Sequence, residues 1–65
     1  MDHIEVNSSV IKSVAHDAER KLLEIKFHTG KVYQYKGVTE REFNNFLTAP
    51  SIGQYFNMTF RGREM

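Results

Sequence analysis

The sequence contains no cysteine, and this absence removes two common ways of stabilising a small protein. Without thiols, the chain can form neither disulfides nor thiolate metal sites. At 65 residues it is long enough for one small domain. A domain of this size buries only about 60% of the surface that its unfolded chain exposes. Any further stabilisation would come from oligomerisation or from a longer host chain.

Long apolar runs and a large excess of one charge are also missing. No stretch is long and apolar enough to span a bilayer, and no signal peptide is recognisable, so we expect a cytoplasmic protein without a membrane partner. The formal net charge is +1 and the pI is about 8.1. Basic nucleic-acid-binding domains usually have a pI above about 9. The chain as a whole is therefore not a polycation.

Catalytic and ligand-binding motifs are absent from the sequence as well. The four glycines are isolated, so there is no glycine-rich phosphate loop, and the three histidines lack metal-ligand spacing. A Ser-His-Asp set could be drawn from Ser9, His16 and Asp17, but nothing in the pattern indicates an oxyanion hole or a pocket. We therefore expect no enzyme, no catalytic residue, no metal, no cofactor and no small-molecule substrate.

What the sequence does contain is one strongly patterned stretch, residues 22–46, that predicts a β-hairpin followed by a helix. Apolar and charged residues alternate from Leu23 to Phe27, which is the period-two pattern of a half-buried strand. The alternation returns from Lys31 to Lys36, where Tyr33 and Tyr35 share one face. Most of the predicted fold is organised around this hairpin.

The residues between the two strands, His28-Thr29-Gly30, decide which side chains face inward. A two-residue loop would need a positive φ at Thr29, which a β-branched residue resists. A three-residue loop needs the left-handed conformation only at Gly30, which adopts it without steric cost. We therefore predict the three-residue loop, which pairs Ile25 with Tyr33 and turns both tyrosines to the apolar face. A loop shorter by one residue would turn them to the polar face.

The segments around the hairpin complete a predicted α+β fold of the order β-β-β-α-α. The β-branched stretch Ser9–Ala15 indicates a first strand, and its two competing apolar faces indicate a bulge. Short connections make the three strands an antiparallel meander. Residues 1–7 are predicted to be a loose arm or an extension of the sheet edge, and residues 62–65 a frayed tail. The whole chain, 1–65, is predicted to be a single domain.

Two helices are indicated by their caps and by their apolar spacing, and both are predicted to cover one face of the sheet. Thr39 is a good N-cap, Glu42 completes a capping box, and Pro50 ends the first helix. Ser51 can cap the second helix. The apolar stripe of the second helix comprises Ile52, Tyr55, Phe56 and Thr59.

The hairpin also supplies the best candidates for a function. Its lysines are interleaved with Tyr33 and Tyr35, and this combination suits single-stranded RNA, whose bases stack on aromatic rings and whose phosphates attract cations. The alternative is that the two rings are core residues and the lysines a solvated face. The predicted register favours the core interpretation for the rings.

Taken together, the pattern resembles the KTSC domain family, named for the C-terminal end of certain lysyl-tRNA synthetases. The residues that carry the resemblance are Ser8-Ser9, Ile11, Ser13-Val14, Asp17, Leu23, Phe27, Gly30, Tyr33-Gln34-Tyr35, Val38, Leu47, Ala49, Ser51, Gly53, Phe56-Asn57 and Arg61. Two residues depart from the family pattern. Thr39 stands where proline is frequent, and His16 stands where an aromatic residue is frequent. The first is a better N-cap, and the second thins either the core edge or an aromatic surface.

The resemblance implies a small bacterial or phage protein, or an appended module, and it suggests RNA binding through the synthetase connection. We therefore expect a non-enzymatic module that binds RNA or another nucleic acid weakly. The expected phosphate contacts are Lys26, Lys31, Lys36 and Arg61, and the expected base or sugar contacts are Tyr33, Tyr35 and Asn57. The alternative is a protein-interaction or homodimerisation module that uses an exposed sheet edge, with the first strand as the candidate edge.

Overall fold

Four antiparallel strands form one sheet in chain order, and two short helices follow them. The structure is a computed structural model that describes residues 1–64. Met65, the last residue of the predicted tail, lies outside the described residues. The elements are β1 (Ile4–Glu5), β2 (Ile11–Asp17), β3 (Leu22–Phe27), β4 (Val32–Tyr35), α1 (Glu40–Leu47) and α2 (Ile52–Thr59). The predicted α+β class, with a sheet followed by two helices, is confirmed.

The sheet has four strands, so the predicted number of three is wrong. The additional strand is β1, which lies within the segment expected to be a loose arm or an extension of the sheet edge, and it pairs with Ser13 and Val14 of β2. It has only two residues, too few to show a periodic pattern in the sequence. Since β2 has a neighbour on each side, the expectation that the first predicted strand is an open edge is also wrong. The edges of the sheet are β1 and β4.

The side chain of His3 anchors β1 to the face of the sheet that carries no helices. Its Nε2 donates a hydrogen bond to Glu24 Oε2 at 2.6 Å, and its Nδ1 shares a hydrogen bond with Ser13 Oγ at 2.8 Å. Gln34 Nε2 donates to the other Glu24 oxygen at 3.1 Å. The hydrogen bond from His3, followed by that from Gln34, holds the pKa of Glu24 below its ordinary value.

The β3–β4 hairpin has the predicted register. Ile25 pairs with Tyr33 and Leu23 pairs with Tyr35. The turn closes with a hydrogen bond from the Gly30 N–H to the Phe27 carbonyl at 2.9 Å, and Gly30 has a φ of 94°. The three-residue loop is therefore confirmed.

The predicted bulge in the preceding strand is also confirmed. The pairing of β2 with β3 changes register between Ile11 and Ser13, so Lys12 is the extra residue. The bulge explains the competing apolar faces, because it places Ile11 and Val14 in the same core. The strand continues to Asp17, two residues beyond the end of the predicted stretch Ser9–Ala15.

Both helices begin at the predicted caps. Thr39 Oγ1 accepts a hydrogen bond from the Glu42 N–H at 3.2 Å, and Ser51 Oγ accepts one from the Gln54 N–H at 3.3 Å. The carboxylate of Glu42 accepts a hydrogen bond from Arg63 Nη1 at 3.3 Å. Glu42 therefore links α1 to the C-terminal segment.

One hydrophobic core lies between the sheet and the two helices. Its buried residues are Ile11, Val14, Leu23, Ile25, Tyr35, Val38, Phe43, Phe46, Phe56 and Phe60. Aromatic rings dominate the helical side of this core, and those of Phe46 and Phe60 pack edge to face at 5.2 Å between centroids. Within residues 1–64, no helix is long and apolar enough to cross a membrane.

Two glycine substitutions should change stability in opposite directions. Gly30→Ala should lower the free energy of unfolding by about 1–2 kcal/mol, because an L-residue is strained at positive φ. A Cβ at Gly30 meets no atom within 4 Å, so the cost is purely conformational. Gly53→Ala should raise the free energy of unfolding by up to about 1 kcal/mol, because alanine favours the helix.

Urea denaturation of the two variants, compared with the unchanged protein, measures both effects. A Cβ at Gly53 would lie 3.7 Å from Ser8 Oγ, which is an ordinary van der Waals contact. No steric clash should therefore offset the gain in helix propensity. Equal stabilities for the Gly30→Ala variant and the unchanged protein would contradict the left-handed turn.

Candidate nucleic-acid interface

The two hairpin tyrosines occupy different environments, although they share a face of the sheet. Tyr35 is only 2% exposed and packs edge to face on Phe56, with ring centroids 5.5 Å apart. Burial raises the pKa of Tyr35 to about 12, and the nearby Glu64 and Tyr33 add to the rise. Tyr35 is therefore a core residue.

The rings of Tyr35, Phe56, Phe27 and Tyr33 form a packed aromatic row. Tyr33 lies at the margin of this row and is 43% exposed. The rings of Tyr33 and Phe27 pack in a T-shaped arrangement, with ring centroids 5.8 Å apart and an interplanar angle of 69°. Phe27 in turn packs against Phe56 at 5.6 Å. The ring of Tyr33 is thus braced from the core side while much of its surface remains open.

Beside Tyr33 the surface forms a cleft of about 330 Å³, which we call the hairpin cleft. Its lining residues are Ser9, Val10, Phe27, His28, Thr29, Lys31 and Tyr33. Val10, 52% exposed, and the two aromatic rings supply apolar surface. Lys31 is the lining residue with a permanent positive charge. The cleft therefore combines an aromatic surface with a cation.

Hydrogen bonds fix the position of the loop that forms one wall of this cleft. Ser8 Oγ accepts hydrogen bonds from the N–H groups of Val10 at 3.1 Å and Ile11 at 3.2 Å. The hairpin turn holds the same loop through His28, whose N–H donates to the Val10 carbonyl at 3.1 Å. The ring of His28 donates from Nε2 to the Ser8 carbonyl at 2.7 Å. These contacts join the β1–β2 loop to the β3–β4 turn.

Of the seven residues expected to contact nucleic acid, Lys31 and Tyr33 line this cleft together. Lys26 lies on the opposite face of the sheet, because it alternates with the core residue Ile25. That face also carries Glu24, whose lowered pKa keeps it ionised and offsets the charge of Lys26. The helix-free face is therefore less suited to an anionic ligand than the cleft.

The remaining expected contacts are dispersed. Lys36 follows β4 at the end of the strand remote from the turn, and its carbonyl accepts a hydrogen bond from Arg63 Nη2 at 3.3 Å. Asn57 is exposed on α2, and Arg61 is exposed just beyond it. Lys36, Asn57 and Arg61 are not among the residues that line the hairpin cleft with Tyr33.

Sequence reasoning missed Val10 and His28 as cleft residues. Val10 was assigned to the first strand, and its exposure follows from the bulge that turns Ile11 into the core. The sequence places His28 only in the turn between the two hairpin strands, and its contact with Ser8 joins residues 20 positions apart. A local pattern carries no signal for such a contact.

The Ser-His-Asp set drawn from the sequence is not assembled as a catalytic triad. The Nε2 of His16 donates to the Val38 carbonyl at 2.7 Å. The ring of His16 stacks on Phe43, with centroids 4.8 Å apart. Histidine therefore performs the packing that an aromatic residue would perform at this position.

Titration of the tyrosines should test the burial of Tyr35. A phenolate absorbance step near pH 12 should be present in the unchanged protein and absent in Tyr35→Phe. Because burial raises this pKa above its ordinary value of 10.0, the associated stability is complete below about pH 10 and is lost as the pH rises toward 12. Chemical denaturation across this range measures that loss. A Tyr35 phenolate that forms near pH 10 in the folded protein would contradict the burial.

Comparison with known structures shows that a protein of known crystal structure has the same fold. The crystal structure of a KTSC domain protein from Yersinia pestis superimposes with a TM-score of 0.91 at 38% sequence identity. The similarity covers 98% of this chain and 90% of that chain. The family model described as KTSC domain matches residues 7–63.

Comparison with known sequences gives relatives of two sizes. An uncharacterised protein of Stutzerimonas stutzeri is 33% identical over 61 residues, which are 94% of this chain and 86% of that protein. A lysine–tRNA ligase of Nostoc punctiforme is 33% identical over 60 residues, which are 92% of this chain but 11% of the ligase. The resemblance seen in the sequence is thereby confirmed, and the chain belongs to the KTSC domain family.

Proposed function

We propose that this KTSC domain binds single-stranded RNA weakly through the hairpin cleft. The observation that carries the proposal is the braced, half-exposed ring of Tyr33 in a cleft that Lys31 also lines. An exposed aromatic ring can stack with a base, and a neighbouring ammonium group neutralises a phosphate. Non-enzymatic recognition of a nucleic acid requires no further chemical group.

The size and charge of the cleft limit the affinity. Stacking of one base on an aromatic ring contributes about 1–3 kcal/mol, and the cleft offers one such exposed ring, that of Tyr33. Lys31 is the permanent cation of the cleft. We therefore expect an affinity at the weak end of the range for non-specific nucleic-acid binding, with a dissociation constant of about 10⁻⁴ M. The proposed ligand is therefore an unpaired segment held by one nucleotide.

The similarity to part of a ligase supports an RNA-related role. The name of the Nostoc punctiforme relative gives tRNA as a substrate of that enzyme. The segment similar to this chain is a small fraction of the ligase. A small module that adds affinity for RNA would be useful in such a protein and could also exist as a separate chain.

A second candidate function, strand pairing with a protein partner or a second copy, is favoured by the open edge of β4. The Phe27 N–H donates to the Lys31 carbonyl at 2.9 Å, so the alternation of the ladder directs the N–H and C=O of Val32 away from β3. Val32 is 49% exposed. At the C-terminal end of β4, Tyr35 pairs with Glu64 in an isolated antiparallel β-bridge, which covers that part of the edge. The uncovered part could accept an extended strand.

Binding of a short oligouridylate to variants of the cleft tests the RNA proposal. Tyr33→Ala should weaken binding by about tenfold, because it removes the stacking surface, whereas Tyr33→Phe should change it by less than about twofold. Lys31→Gln should reduce the slope of log affinity against log salt by about 0.7, the value for one phosphate contact on a single strand. Fluorescence anisotropy measures each constant.

Arg20→Gln is the matched charge control. Arg20 lies in the turn at the opposite end of β3 from Lys31, which a six-residue strand places about 20 Å away. This variant should keep the salt slope of the unchanged protein. Unaltered binding by a folded Tyr33→Ala variant would refute the cleft as the site, and a concentration-dependent sedimentation mass would then favour the β4 edge.

A further inference from the structure

His28 has two ring nitrogens, and the structure assigns a fixed role to one of them. Its Nε2 lies 2.7 Å from the Ser8 carbonyl oxygen. A carbonyl oxygen only accepts hydrogen bonds, so Nε2 carries a hydrogen. This bond, together with the bond from the His28 N–H to the Val10 carbonyl, holds the wall of the hairpin cleft. The orientation of the ring is therefore set by the protein itself.

The fixed nitrogen determines what the other nitrogen can do. In the neutral ring only one of the two nitrogens carries a hydrogen. Because that nitrogen is Nε2, Nδ1 is an acceptor, and in the charged ring Nδ1 becomes a donor. The bond to Ser8 persists in both charge states, because Nε2 keeps its hydrogen in each. No hydrogen bond within residues 1–64 engages Nδ1 of His28. Protonation can therefore change the chemistry of the cleft without releasing its wall.

We propose that His28 is a proton-controlled phosphate contact of the hairpin cleft. When its ring is charged, Nδ1–H donates to a phosphate oxygen of single-stranded RNA held beside Lys31 and Tyr33. Histidine changes charge between about pH 5 and 8, so affinity rises as the pH falls through this range. The inference rests on the RNA binding proposed above and adds to it a residue and a mode of regulation.

The charged groups around His28 make phosphate the fitting ligand. Lys31 and Tyr33 are the titratable side chains that share the cleft with it, and neither is an anion at neutral pH. The facing loop contributes Ser9 and Val10, which are uncharged. An incoming phosphate would be the anion closest to the ring. Protonation and phosphate binding then favour each other to the same extent, as linkage requires.

The salt dependence of oligouridylate binding at pH 8 and pH 5.5 tests this inference, because uracil does not titrate in that range. For the unchanged protein, the slope of log affinity against log salt should steepen by about 0.7 at the lower pH, as one further counterion is released. The affinity at fixed low salt should rise roughly two- to fivefold, the size of one exposed charge pair. A pH-insensitive fluorophore reports both quantities.

His28→Gln is the informative variant. The glutamine amide can donate to the Ser8 carbonyl but does not titrate, so binding at pH 8 should be retained and the pH response lost. His3→Gln is the control, because His3 lies on the helix-free face, where its ring is bonded to Ser13 and Glu24. This control should keep the full pH response. Amide NMR spectra establish that both variants are folded.

A measurement on the unchanged protein covers the case in which His28→Gln does not fold. Long-range ¹⁵N–¹H spectra should show the hydrogen of neutral His28 on Nε2, and a hydrogen on Nδ1 instead would overturn the inference. Binding that is equal at the two pH values would also overturn it, as would a pH response that survives in folded His28→Gln. Both of these results leave RNA binding standing. No binding at either pH, even at low salt, refutes RNA binding and this inference together.

Discussion

The left-handed backbone at Gly30 closes a three-residue turn, and the pairing of residues 23–26 of β3 with β4 follows from that closure. A shift of one residue would exchange the two faces of β4. With the observed register, Tyr35 enters the core and Tyr33 reaches the margin of the same aromatic row. The buried ring stabilises the domain, and the marginal ring is the surface available to a ligand.

The hairpin cleft depends on a second feature, the bulge at Lys12 in β2. It turns Ile11 and Val14 into one core and leaves Val10 outside, facing the hairpin turn. His28 joins this loop to the turn through its main-chain and ring nitrogens. The β1–β2 loop and the β3–β4 turn are thereby held together as one wall of the cleft. A site built in this way can be open to a ligand while its position is fixed by the sheet.

The parts of the fold that were predicted from the sequence have local causes. The turn at Gly30 follows from backbone sterics, and the caps at Thr39 and Ser51 follow from side chains that satisfy the first N–H groups of each helix. The sequence left open whether the first residues are a loose arm or an extension of the sheet edge, because β1 depends on distant contacts such as that of the preceding His3 with Glu24, across 21 positions. The cleft was missed for the same reason. The alternation of residues along the strands could not show which of the expected contact residues lie together in the tertiary structure.

The central claim is that the hairpin cleft is the RNA-binding surface, and an NMR titration of the labelled domain with mixed-sequence single-stranded RNA tests it most directly. At low salt, the account predicts shift changes at Val10, His28, Lys31 and Tyr33 that weaken at moderate salt. Core amides, such as that of Tyr35, should change little. Shift changes confined to β1 and the helix-free face, or no changes at low salt, would contradict the account.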